Sequence, residues 1–232
     1  MAGDKFIESS YEKALIALFQ ELGYTYECGY DVERDYREPF YREVLEASLK
    51  RLNKGVSADI LAEGLKMVTN LNEGTLIQDN RRFTEMLQNG FAVPYLENGE
   101  NRTATLRLVD FEQPLANDFR IVNQWSVEEL GKIRCDMVVM INGLPLVVVE
   151  LKTASDENVT IEDAYLQIRN YMKKCPSLFG YNAFCVISDL AQSKAGTITS
   201  KFERFMEWKS EDGNYETKLI ADYATFFKGM FM

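Results

Sequence analysis

The stretch RCDMVVMINGLPLVVVELK, Arg134 to Lys152, decides the architecture. Two apolar runs flank Asn142-Gly143, and an Asn-Gly pair in that setting is a strong short-range signal for a β-hairpin. A buried hairpin tolerates little charge, yet Asp136 stands near one end and Glu150 and Lys152 near the other. Side chains alternate across a strand, so the register decides whether these three meet. With a two-residue loop, Asp136 faces Val149 and points away from Glu150. With a three-residue loop closed by Gly143 in the left-handed region, Asp136 faces Val148, and Asp136, Glu150 and Lys152 share one face. A site built from these three requires paired positions that sum to an even number.

Composition narrows the chemistry. The chain has no histidine, which removes Ser-His-Asp triads, Cys-His pairs, histidine bases and histidine metal sites together. Acid–base or metal chemistry is left to carboxylates, Lys, Tyr and Cys. The net charge is −10, which argues against tight nucleic-acid binding by the chain alone, because phosphate contacts need Lys and Arg. Local basic clusters remain: Lys132 and Arg134 flank Asp136, and Arg169, Lys173 and Lys174 follow later. The four cysteines form no CxxC pair and no zinc spacing, so reduced thiols in a cytoplasmic protein are expected. No apolar run reaches the ~20 residues of a membrane span.

Outward from the hairpin, ESSYEKALIALFQELGY reads as an amphipathic helix from about Ser10 to Leu22, with Ser9 and Glu12 as a capping box and Gly23 as its stop. EPFYREVLEASLKRLN, SADILAEGLKMVTNL and DNRRFTEMLQNG read as three more helices. FAVPYL, TATLRLVDF and DFRIVNQWSV have the alternation of strands. IEDAYLQIRNYMKKC is helical and NAFCVISD is a short buried strand. Trp125 and Trp208 are expected in the core. The tail YATFFKGMFM is either core or a sticky surface for another domain. The order of elements specifies an α/β domain with a mixed β-sheet flanked by helices. No P-loop is present, so an ATP-driven motor is not expected here.

If Asp136 and Glu150 do converge, they repel unless a proton or a divalent cation lies between them. Mg²⁺ takes oxygen ligands and keeps several waters, so two or three protein oxygens suffice. A lysine beside such a metal orients the attacking water, which is metal-assisted phosphodiester hydrolysis without histidine. The plain alternative is a hairpin whose carboxylates pair with Lys132 or Arg134, and a Glu12 that merely caps its helix.

Asp136 followed by Glu150-Leu151-Lys152 resembles the PD-(D/E)xK nuclease superfamily, with Cys135 where the name has proline. Together with Gln167 and Tyr171 (a QxxxY motif), FCVISD, FERFMEWK, RRFTEMLQNG and DFRIVNQWSV, the chain is similar to the N-terminal nuclease domain of the restriction subunit of type I restriction–modification enzymes. The resemblance runs from the first helix to about Trp208. It implies a restriction-endonuclease-like fold, a single domain over residues 1–232 with a helical insertion at 34–90. It implies Mg²⁺ held by Asp136, Glu150 and the Leu151 main-chain carbonyl, with Lys152 positioning water. Glu12, or else Glu8, would add an acidic group. Gln167, Tyr171 and Arg169 would support the site or touch DNA. The implied partners are double-stranded DNA, helicase-like motor domains where ATP is used, and methyltransferase and specificity subunits, in a bacterial or archaeal cytoplasm. Two other readings are another nuclease of the superfamily, such as a DNA-repair enzyme, and a nuclease fold used only for docking.

Overall fold

The computed structural model describes residues 2–72, 74–152, 160–189, 191–213 and 222–232, and of residues 2–9 the backbone only. A six-stranded mixed sheet has the order β1-β4-β5-β6-β7-β8. Its strands are β1 (Thr25–Cys28), β4 (Phe119–Glu128), β5 (Lys132–Ile141), β6 (Leu144–Leu151), β7 (Phe184–Ser188) and β8 (Ser193–Gly196). β2 (Phe91–Glu97) and β3 (Glu100–Leu106) form a separate antiparallel pair. The helices are α1 (Ala2–Glu21), α2 (Arg42–Leu52), α3 (Ala58–Thr69), α4 (Leu76–Asn89), α5 (Ile161–Lys174), α6 (Pro176–Gly180) and α7 (Tyr223–Phe231). Among the described residues no helix is long and apolar enough to cross a membrane.

Alternation along the central strands divides the interior in two. Val139, Val147, Val149 and Val186 pack with Leu15 and Phe19 of α1. Val138, Val148 and Ile187 pack with Ile168 and Met172 of α5. Glu150 follows Val148 at the next even position of β6, so it belongs to the α5 face.

The central hairpin is built differently from either simple alternative. Asn142 (φ 54°) and Gly143 (φ 82°) form a two-residue loop with Ile141 opposite Leu144, the left-handed pair that matches strand twist. That loop alone would put Asp136 and Glu150 on opposite faces. The pairing then shifts between Met140↔Pro145 and Val139↔Val147, which leaves Leu146 as the extra residue of a β-bulge. Beyond it Met137 pairs with Val149, so Asp136 comes opposite Glu150. The even register is present, but the bulge at Leu146 sets it, not the turn.

Asn142 ties this turn to the rest of the chain. It is fully buried. Its Oδ1 accepts from the Asp118 amide and from Arg51, both at 2.8 Å. Its Nδ2 donates to the Leu108 carbonyl at 2.9 Å and to Asn117 Oδ1 at 2.8 Å. A Cβ on Gly143 would come within 2.6 Å of the Leu45 amide and the Tyr41 carbonyl of the passing α2 segment. Asn142→Ala is therefore expected to destabilise the chain by roughly 3 kcal/mol, from buried groups left unpaired and a left-handed alanine. Thermal melting checks this. Asn142→Gly relieves only the backbone part, so a glycine variant that melts like the wild type would contradict the hydrogen-bond account.

Several local expectations change. α1 starts at Ala2, not near Ser10, because the preceding KFIE segment contains no helix breaker. Ser9 is thus inside the helix and Glu12 is no capping partner. The Gly23 stop holds, with φ +92°. The tail is core: Phe226 and Phe227 are buried, and Phe19 meets Phe227 and Phe231 edge-on. Residues 214–221 lie outside the described set. Trp125 is fully buried, but Trp208 is 39% exposed. Past the single 3-10 turn at Phe202–Arg204 no helical period continues, so Trp208 lies against Gly229 at the surface edge of α7. β1, β8 and α6 carry too few residues to show a period in the sequence.

Candidate active site

Past Met137↔Val149 the β5–β6 ladder ends, and the Leu151 N–H donates to Asp136 Oδ2 at 2.8 Å. One carboxylate oxygen of Asp136 thereby caps a strand-end amide. Glu150 is 1% exposed. Its Oε1 accepts from Lys152 Nζ at 2.7 Å, while its Oε2 is buried with no hydrogen-bond partner. Burial, and then the charge of Asp136, push the Glu150 carboxyl up to about 8, against the smaller opposing pull of Lys152. A buried carboxylate oxygen without a donor costs about 1–3 kcal/mol. A proton or a cation relieves that cost, and the donor set of carboxylates and main-chain oxygen suits a hard divalent ion.

Lys152 is fixed from both ends. Its amide donates to the Ser188 carbonyl at 2.8 Å, at the end of β7. Ser188 Oγ in turn lies 2.7 Å from the Tyr11 hydroxyl of α1 and 2.8 Å from Ser193 Oγ. Burial raises the Tyr11 hydroxyl to about 12, so it stays a neutral partner. Tyr11 and Ser188 were not singled out in the sequence; they lie 177 positions apart and share no local pattern.

Tyr171 and Gln167 lie one turn apart on α5, as their spacing requires. The Tyr171 hydroxyl donates to the Arg134 carbonyl at 2.8 Å, which pins α5 to β5 two residues before Asp136. Gln167 lines the same groove as Tyr171. Burial, and then the charge of Glu150, raise the Tyr171 hydroxyl. Arg169 turns elsewhere: it donates to the Ile198 carbonyl at 2.7 Å.

Glu12 is one strand away. Asn123 Nδ2 and Gln124 Nε2 donate to its carboxylate. Asn123↔Met137 and Trp125↔Cys135 bracket Gln124, so Gln124 stands across from Asp136. Gln124 has φ 54°, a left-handed residue inside a strand, and such strain concentrates at functional sites. Among the described residues no group of three or more His, Cys, Asp or Glu is gathered for a metal, so Glu12 does not join Asp136 and Glu150 in one cluster. The Glu8 side chain lies outside the described set. The four cysteines are free thiols, and burial holds Cys135 well above the ordinary thiol range.

Residues 5–204 match the family model described as type I restriction enzyme R protein N terminus. A protein of Methanocaldococcus jannaschii, named as the MjaIXP endonuclease subunit, is 32% identical over 219 residues, covering 90% of this chain and 21% of that protein. The type I restriction enzyme HindI endonuclease subunit of Haemophilus influenzae is 32% identical over 226 residues, covering 93% of this chain and 21% of its own length. The EcoprrI endonuclease subunit of Escherichia coli is 30% identical over 138 residues, 56% of this chain and 43% of that protein. The chain thus spans about a fifth of the length of the first two relatives.

Proposed function

Because this chain belongs to the family of type I restriction enzyme R protein N termini, we propose that it is the nuclease domain that cuts double-stranded DNA for such an enzyme. The observation that carries this reading is the Asp136–Glu150 pair, facing across a bulged hairpin, with an unpartnered buried Glu150 oxygen beside Lys152. Asp136, Glu150 and the Leu151 carbonyl would hold Mg²⁺. When bound, the cation would supply the positive charge that lowers the pKa of water and offsets charge on the phosphate.

The chain's own residues do the rest. Lys152 donates a hydrogen bond that orients water toward the phosphorus and shields the developing negative charge. Asp136 keeps its alignment through the Leu151 amide. Tyr171, with Gln167 one turn away, holds α5 so that β5 cannot drift. Glu12, already engaged with Asn123 and Gln124, acts as an outer acidic group. Translocation by ATP-using motor domains, methylation and sequence recognition belong to segments and subunits outside this chain.

In the full restriction enzyme, Asp136→Asn, Glu150→Gln and Lys152→Ala are each expected to lower DNA cleavage at least about 100-fold while ATP hydrolysis persists. Gel assays on circular DNA read the first and phosphate release reads the second. Cleavage that survives in all three variants would leave only a docking role for the fold.

A further inference from the structure

A groove of about 440 Å³ adjoins the site, lined by Tyr30, Lys132, Arg134, Gln167, Asn170 and Lys174 among others. Its walls are fixed: the Leu130 amide donates to the Lys174 carbonyl at 2.9 Å, and the Lys174 stem runs along Gly131. Acidic residues outnumber basic ones by ten in the whole chain, 36 against 26. Yet among the described residues no ion pair holds Lys132, Arg134 or Lys174. Lys132 lies over the Tyr36 ring and Arg134 over Tyr30, which also accepts its hydrogen bond. Glu128 stands across the ladder from Lys132.

Lys132, Arg134 and Asp136 occupy alternate positions of β5, the first two exposed and the third half-buried. Alternate positions along a strand repeat about every 6.8 Å. That step matches the spacing of successive phosphates along one nucleic-acid strand. We propose that the groove receives the sugar–phosphate backbone of the strand being cut, with Arg134 on the phosphate next to the scissile one, Lys132 on the phosphate after it, and Lys174 closing from the α5 wall. This rests on the nuclease reading of Asp136 and Glu150. Lysine and arginine set against a backbone carry no sequence information, so binding here is independent of sequence.

The test uses the whole chain, a fluorescein-labelled duplex of mixed sequence, calcium in place of magnesium, and anisotropy at increasing salt. The triple variant K132Q/R134Q/K174Q is expected to flatten the slope of log affinity against log salt by about 2 to 3, one step per lost phosphate contact. The control K50Q/K54Q/K201Q removes the same charge from exposed positions elsewhere, and is expected to leave the slope unchanged. Equal slopes in both triple variants overturn the proposal, as does a wild-type chain without salt-dependent binding at low salt. The magnesium-induced melting shift of the same proteins reads the Asp136–Glu150 site separately. A groove variant that keeps the shift but binds with the wild-type slope sinks the groove alone. A wild-type chain without the shift sinks the site.

Discussion

Glu150→Gln is expected to flatten the pH dependence of stability and to abolish the response to divalent cations in one step. The Glu150 carboxyl titrates near 8 in the folded chain, against an ordinary 4.5, chiefly because it is buried and secondly because Asp136 is beside it. Between those values the folded state holds a proton that the unfolded state has released. Stability from this group is thus fully present below about pH 4.5 and is lost as pH rises through about 8, by up to roughly 1.4 kcal/mol per pH unit. A divalent cation at the carboxylates reverses the loss, since it binds the deprotonated folded form. At a hundredfold excess over its dissociation constant it adds about 2.7 kcal/mol, or roughly 5–10 °C for a chain of this size. Glutamine carries no charge to bury and no anionic ligand to offer. Melting curves at about pH 5 and about pH 9, with and without magnesium, test both halves. The reading fails if the variant keeps the wild-type pH slope and the wild-type magnesium shift.

Inserting one alanine between Val139 and Met140 is the second large effect. The alanine pairs with Leu146, so the bulge closes and regular alternation runs through it. Either Glu150 turns to the α1 face and Val139, Val147 and Val149 exchange faces with Val138 and Val148, or the strands separate. Both outcomes bury charge among aliphatic side chains or empty the core, so a loss above about 4 kcal/mol is expected. Deleting Leu146 from the insertion variant leaves the alanine as the bulge residue, now on β5, and again sets Val139 opposite Val147 on its original face. That double variant is expected to recover both melting temperature and magnesium response. An insertion variant that melts and binds magnesium like the wild type would show that the bulge at Leu146 does not set the faces.

The amphipathic spacing of α2 to α5, the Asn142-Gly143 turn and the apolar run of β6 were legible because each is written in neighbouring residues. So were Asp136, Glu150, Lys152, Gln167 and Tyr171, since their types and spacings sit within short motifs. The start of α1 was misplaced because Ser9 and Glu12 mimic a capping box inside a longer helix. Trp208 was assigned to the core from an apolar pattern that the extended backbone after Arg204 does not follow. Arg169, adjacent to the motif, was grouped with it on sequence proximity, while its guanidinium turns to Ile198. Asn123 and Gln124 had no signal at all: a left-handed residue within an alternating strand leaves no mark on the pattern.

By itself, then, the amino-acid sequence determined the α/β class, the central hairpin and the identity of the charged residues that gather there, because local periodicity and turn chemistry act over a few residues. Tertiary structure decided whether those residues meet. A two-residue loop and a bulge differ by one position in a run of buried aliphatics, and either is compatible with the same sequence. The choice depends on what packs against the hairpin: α2 against Gly143, the Ala183 amide just before β7 donating to the Leu146 carbonyl, and α5 pinned to Arg134 by Tyr171. Those contacts join residues far apart in the chain, and they place Asp136 opposite Glu150.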